Sequence, residues 1–274
     1  MINVDGFRQK SAKLRGLKFS YLEWGAEDSP PVVLLHGLQS HAHSWDLLAS
    51  ALQSEYRVIA LDQRGHGDTA WPDPPIYTTA DFVDDVLALA EHLGIARFVL
   101  MGLSMGAHNA LAVAIRHPEF VDKLVSVDVP ASLNLLYDPE VRNRLVNVQR
   151  DFSSIEEMVV DARDTYPFAT DEMIRHRMEH NAYQLSSRRL TLKYSPDAPK
   201  SWNPDDLSEE IALIQCPTLI VRGGESKVLS AGQAQSMADA IPNSHFITIK
   251  GAGHSVPMDK PEEFEAAVRE FLAD

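Results

Sequence analysis

Short apolar runs recur along the first half of this chain, each ending in polar or glycine-rich residues and each followed by helical spacing. Val32-Val-Leu-Leu35 is apolar at every position, as in a parallel strand buried on both faces, and ends in His36-Gly37-Leu38. Trp45, Leu48, Ala49 and Leu52 then follow a helical period. Residues 56–61 predict the next strand, ending at Asp62 and followed by the polar loop Gln63-Arg-Gly-His-Gly67. Pro72, Pro74 and Pro75 exclude a helix interior over 68–77. Residues 80–93 place Phe82, Val83, Val86, Leu87, Ala90 and Leu93 on one side of a helix closed by Gly94. Strands are predicted at 98–100 and 123–127, the second ending at Asp128, with a helix at 104–116 between them that stops at His117-Pro118. Ahead of all this, residues 17–24 partly alternate apolar and polar, the mark of a half-buried edge strand or hairpin.

The rhythm changes after Pro130. Residues 131–209 hold no clear apolar strand run. They read as helices at 133–152, 155–162 and 172–183, followed by a proline-rich loop at 195–204. Strand and helix then alternate again: strands at 216–221 and 244–249, helices at 232–241 and from Pro261 onward. The expected architecture is α/β, a mostly parallel sheet with helices on both faces. Its core spans 1–130 and 210–274, and 131–209 form an inserted helical lid that roofs a site and excludes water.

Composition fits one sizeable core: 274 residues, 45% hydrophobic and 23% charged. The net charge of −14 argues against nucleic acid or an anionic membrane as partner. No run of about 18 apolar residues occurs, so no membrane insertion is expected, and no basic-then-apolar leader is visible, so cytoplasm is the expected location. The single cysteine, Cys216, precedes an apolar strand and reads as a buried, inert thiol. Oligomeric state stays open.

Chemistry collects at the predicted strand ends. Gly102-Leu-Ser-Met-Gly106 lies between a strand and a helix, where a sharp turn pushes a serine hydroxyl outward and the glycines permit close backbone approach. A serine hydroxyl needs a neutral imidazole as base, and that imidazole needs a carboxylate to fix its tautomer. His254, in Gly251-Ala-Gly-His254 after a strand, suits the base better than His245 at a strand start. His176 and His180 share an i,i+4 spacing open to a metal, but with no third ligand in view they read as lid-surface residues. Asp81, Asp84 and Asp85 read as carboxylates at a helix amino end. No metal or organic cofactor is implied.

These motifs, with His36-Gly37, Asp62-Gln-Arg-Gly-His-Gly67, Arg222-Gly-Gly224 and the Pro261-Glu262 helix start, resemble the α/β-hydrolase superfamily. Within it the chain is similar to the lid-bearing esterase, C–C hydrolase and epoxide hydrolase–dehalogenase-like proteins. The resemblance covers residues 32–272 apart from the lid. It implies Ser104 as nucleophile, His254 as base and an oxyanion hole from the N–H groups of Leu38 and Met105. Asp62 and Arg64 are expected to brace loops rather than react. The chain departs from the commonest pattern at the acid. Where Gly-x-x-Asp is usual it reads Gly223-Gly-Glu-Ser226. The acid is then Asp128, at the position some members use, or alternatively Glu225.

A serine in place of an aspartate nucleophile argues against epoxide and haloalkane chemistry. The expected activity is a serine hydrolase, a carboxylic ester hydrolase acting on a small-molecule acyl substrate: a small or medium ester, lactone or related acyl compound cleaved through an acyl-enzyme. Alternatives are an amidase, a C–C bond hydrolase of a catabolic pathway, a cofactor-free perhydrolase or haloperoxidase, and a non-enzymatic small-molecule receptor. The expected pocket residues are His36, Gln39, Trp45, Trp71, Leu133, Tyr137 and Val256.

Overall fold

A computed structural model describes residues 2, 4–133, 140, 143, 146 and 150–273. Its sheet begins with a hairpin, β1 (Arg8–Leu14) and β2 (Leu17–Trp24), and continues with β3 (Pro31–Leu35), β4 (Arg57–Leu61), β5 (Phe98–Leu103) and β6 (Val121–Val127). After the insertion come β9 (Thr218–Gly223) and β10 (Ser244–Ile249). The spatial order is β1-β2-β4-β3-β5-β6-β9-β10. β1 and β2 run antiparallel to each other and β2 to β4; the other neighbours are parallel. From β3 the chain crosses to β4 on one side and later to β5 on the other. The carboxyl ends of β3 and β5 therefore flank the crevice where a parallel sheet reverses its winding, the favoured place for a ligand.

Period-two alternation decides what each face packs. Val33, Leu35, Ile59, Leu61, Leu100 and Ile220 share one buried cluster with α2 (Thr79–Leu93), α3 (Met105–Arg116) and α7 (Ala231–Ala240). Val32, Leu34, Val58, Ala60, Met101 and Val221 share another with α1 (Asp46–Leu52), the short α8 (Val256–Asp259) and the last helix, α9 (Pro261–Ala273). α2 opens on Thr78, whose hydroxyl caps the Asp81 N–H, and closes on Gly94 in the left-handed conformation.

Between β6 and β9 lie α4 (Ile155–Ala162), α5 (Asp171–Asn181), the small hairpin β7 (Ala182–Gln184) with β8 (Leu190–Leu192), and α6 (Asp197–Ser201). Phe152, Met158, Val159, Ile174 and Met178 bury together with Met258 of the main body, which seats the insertion on the sheet's carboxyl side. Two expectations change. The insertion contains a hairpin, too short and mixed to show as an apolar run, and part of the expected loop over 195–204 is a helical turn. The helix expected at 133–152 lies mostly outside the described residues. No described helix is long and apolar enough to cross a membrane.

Candidate active site

Ser104 sits between β5 and α3 with φ 55° and ψ −118°, a strained backbone for any residue with a Cβ. Its N–H bonds to Val127 O at 2.9 Å and its carbonyl accepts from His108 N at 2.9 Å, so sheet and helix hold the turn from both ends. The glycines are required by contact: a Cβ on Gly102 would overlap the Gly106 carbonyl, and one on Gly106 the carbonyl of Leu35. The loop after β3 passes directly over the serine. A Cβ on Gly37 would stand 3.4 Å from Ser104 Cβ and 3.9 Å from its Oγ. Met105 opens α3, so its N–H belongs to the first helical turn, where main-chain donors lack helical partners.

The His254 imidazole donates from Nδ1 to Asp128 Oδ2 at 2.7 Å. This fixes the tautomer and leaves Nε2 as the acceptor. Asp128 is fully buried and also accepts from Gly223 N at 3.0 Å and from the Ser226 hydroxyl. Ser226, which stands where the commonest pattern has its acid, thus serves the aspartate one strand over. Glu225 is exposed at the cavity rim, its main chain tied to Ala252 O at 2.8 Å. Asp259 supports the histidine loop, accepting from Gly253 N at 2.8 Å; burial pushes its carboxyl up to about 6.

Ser104 and His254 open into one cavity of about 470 Å³, within the range of small-molecule pockets. Leu38 and Gln39 line it from the main body. From the insertion come Tyr166, Phe168 and Arg177. Five expected pocket residues lie elsewhere. Trp45 is buried against Phe264, Leu133 is in the core beside α3, and Val256 is fully buried. Trp71 is 52% exposed on the far loop. His36 lies beneath the cavity, where it shapes the loop rather than the pocket surface: Nδ1 donates to Gly37 O at 2.8 Å and Nε2 accepts from Gln63 N at 3.0 Å. Tyr137 falls outside the described residues.

Sequence reasoning missed Arg177. It is buried, donates to Ser40 Oγ at 2.9 Å and lies 4.9 Å from the Tyr166 ring. Its Nε has no hydrogen-bond partner, and it forms no ion pair with a carboxylate among the described residues. Only its place on a predicted helix was legible, since the face turned toward the cavity depends on how the insertion docks.

The bracing of the loops is as expected for Asp62 and Arg64. Asp62 accepts from Ala42 N at 2.7 Å and Asp68 N at 3.0 Å, and burial pushes it up to about 6. Arg64 takes Asp85 in two hydrogen bonds of 2.6 and 2.7 Å. Asp85 is therefore the partner of a buried arginine rather than a solvated helix-end charge.

A family model described as the alpha/beta hydrolase fold matches residues 30–261. The chain is 26% identical over 273 residues to the 2-(acetamidomethylene)succinate hydrolase of Mesorhizobium japonicum, covering 99% of this chain and 97% of that protein. It is 28% identical to the sn-1-specific diacylglycerol lipase ABHD11 of Mus musculus, over 97% of this chain and 88% of that one. The crystal structure of E-2-(acetamidomethylene)succinate hydrolase superposes with a TM-score of 0.89 at 25% identity, covering 98% of this chain and 100% of the other. With its mostly parallel sheet, its serine turn between β5 and α3 and its helical insertion, the chain belongs to the α/β-hydrolase fold family, as a lid-bearing member of the serine-hydrolase type.

Proposed function

We propose that this protein hydrolyses a small or medium carboxylic ester, lactone or related acyl compound that carries an anionic group, through an acyl-enzyme on Ser104. His254 Nε2 takes the Ser104 proton as Oγ attacks the carbonyl carbon. The imidazolium that results is held by Asp128. The N–H groups of Leu38 and Met105 stabilise the developing oxyanion, aided by the amino end of α3. His254 then protonates the leaving group, activates a water for attack on the acyl-enzyme, and returns the proton to Ser104. The observation that carries this reading is the 2.7 Å hydrogen bond from His254 to a buried Asp128, in a loop that shares one cavity with Ser104.

Arg177 supports the anionic part of the reading. A buried guanidinium facing a cavity with an unpartnered Nε, and no carboxylate paired to it among the described residues, suits a ligand carboxylate. The Mesorhizobium japonicum relative is named for a substituted succinate, itself a dicarboxylate.

The test compares p-nitrophenyl esters of a neutral acid and of a dicarboxylic acid of matched length, with wild type, Ser104→Ala and Arg177→Gln. Ser104→Ala should abolish turnover of both. Arg177→Gln should raise KM for the carboxylate-bearing ester by roughly 10- to 100-fold, the range of one charged hydrogen bond, and leave KM for the neutral ester nearly unchanged. Wild-type rates in Ser104→Ala would remove the serine mechanism. Equal effects of Arg177→Gln on the two esters would remove the anionic-substrate reading alone.

A further inference from the structure

A second polar cluster lies outside the cavity, at the seam between α5 of the insertion and the segment that follows the oxyanion loop. The sequence offered His176 and His180 one turn apart with no third ligand. The fold supplies two further groups from the main body. Asp46, at the start of α1 and 2% exposed, accepts from His176 Nε2 at 2.9 Å and from His43 Nδ1 at 3.0 Å. The His180 ring stacks on His43 with centroids 3.8 Å apart.

Ligand-capable atoms of His43, Asp46 and His180 all lie within 4.8 Å of one another.

We propose that His43, Asp46 and His180 bind a divalent transition-metal ion of the zinc type, with His176 holding the Asp46 carboxylate in place through its hydrogen bond. Two imidazoles and a carboxylate are a donor set for zinc or its neighbours in the first transition row, and a poor one for magnesium or calcium. Bond lengths of about 2.1 Å call for ligand atoms roughly 3.4 Å apart. His43 and His180 are only partly buried and can close that gap by side-chain rotation, while the Asp46 backbone stays within its helix. The ion would join α5 to the main body away from Ser104, so this site is independent of the hydrolytic reading.

The experiment titrates cobalt chloride into chelator-treated protein, follows visible d–d absorption, and then displaces cobalt with zinc. Wild type should bind one equivalent with the bands of a low-symmetry nitrogen and oxygen site. His180→Gln and His43→Ala should each weaken binding by at least about tenfold. His254→Ala, which removes the active-site imidazole, should leave the bands unchanged. Zinc should raise the melting temperature of wild type and leave that of His180→Gln unmoved. Absence of d–d bands in wild type would overturn the proposal. So would equal cobalt affinity in wild type, His180→Gln and His43→Ala, or loss of the bands in His254→Ala.

Discussion

Replacing Asp128 by asparagine keeps the shape of the side chain and removes its charge, and the surrounding donors then dictate how the amide turns. The carboxylate faces three donors: Gly223 N on Oδ1, and His254 Nδ1 and the Ser226 hydroxyl on Oδ2. The Gly223 N–H belongs to the end of β9 and cannot rotate away, so the asparagine oxygen stays there and its NH2 faces His254 and Ser226. A hydroxyl can turn to accept. The imidazole can accept only with a bare Nδ1, which moves its proton to Nε2. In that tautomer Nε2 has no lone pair for the Ser104 proton. The expected loss is about 10²- to 10⁴-fold in kcat, or about 3–5 kcal/mol of barrier. The assay is pre-steady-state and steady-state release of p-nitrophenol, on protein shown by its melting curve to be folded. Glu225→Gln should stay within about tenfold of wild type, because that side chain is exposed and the imidazole is already held by Asp128. A crippled Glu225→Gln beside a nearly normal Asp128→Asn would refute this assignment of the acid.

Two further outcomes concern stability. His108 is fully buried, and burial lowers its pKa to about 4, below the ordinary value near 6.5. Between those values the unfolded chain binds the extra proton, so stability is lost as pH falls below about 6.5, by about 1.4 kcal/mol per pH unit down to about 4. His108→Gln should therefore lose about 2 kcal/mol less than wild type between pH 7 and pH 5 in urea unfolding; parallel losses would show that His108 is not held neutral. Taking the difference cancels the opposite contributions of Asp62 and Asp259, whose raised values favour the folded state as pH falls toward 4. In the serine turn, Gly106→Ala drives a Cβ into the main-chain carbonyls of Leu35 and His36, neither of which is a movable side-chain end. It should cost about 2 kcal/mol or more in denaturant unfolding and reduce the burst from Ser104; a cost within about 0.5 kcal/mol would show that α3 can shift freely.

Strands buried on both faces were the most legible elements. Val32-Val-Leu-Leu35 carries its own signal, and even the mostly half-exposed edge strand β10 (Ser244–Ile249) has the expected bounds. Asp128 was legible as a position, the polar residue that ends an apolar strand. That place ranked it ahead of Glu225, while the Gly223 and Ser226 donors that surround it came into view only with the position of β9. The insertion was the least legible part. β7 and β8 are three residues each and gain their partners only by pairing with each other. Trp45 and Val256 were misplaced for a related reason. Nearness in sequence to a functional loop says nothing about which side of the sheet a side chain takes, and both point into the core behind α9. Arg177 and Phe168 reach the cavity through docking contacts that have no sequence period. Phe168 packs so closely on the histidine loop that a Cβ on Gly253 would stand 2.6 Å from its ring.

Those docking contacts bear on chemistry as well as recognition. The loop that carries Leu38 is held from below by His36, whose carbonyl accepts from Gln63 at 2.6 Å, with Asn109 of α3 donating to Gln63 at 2.8 Å. From above it is held by α5. Arg177 donates to Ser40 at 2.9 Å, Asn181 to Gln39 O at 3.2 Å, and His41 to Arg177 O at 3.2 Å. Gln39 itself has a φ of 60°, a conformation that surrounding contacts must hold for a residue other than glycine. A roof that only excluded solvent could shift without disturbing the N–H of Leu38. Here the helix that presents Arg177 to the cavity is bonded to the turn that carries that N–H, so a displacement of α5 moves both. Weakening the seam at Asn181, away from Arg177 and Ser104, should therefore lower kcat and not merely raise KM. Asn181→Ala compared on a neutral ester isolates the effect, because that substrate makes no use of the Arg177 charge. An unchanged kcat would mean that His36 and Gln63 hold the loop by themselves.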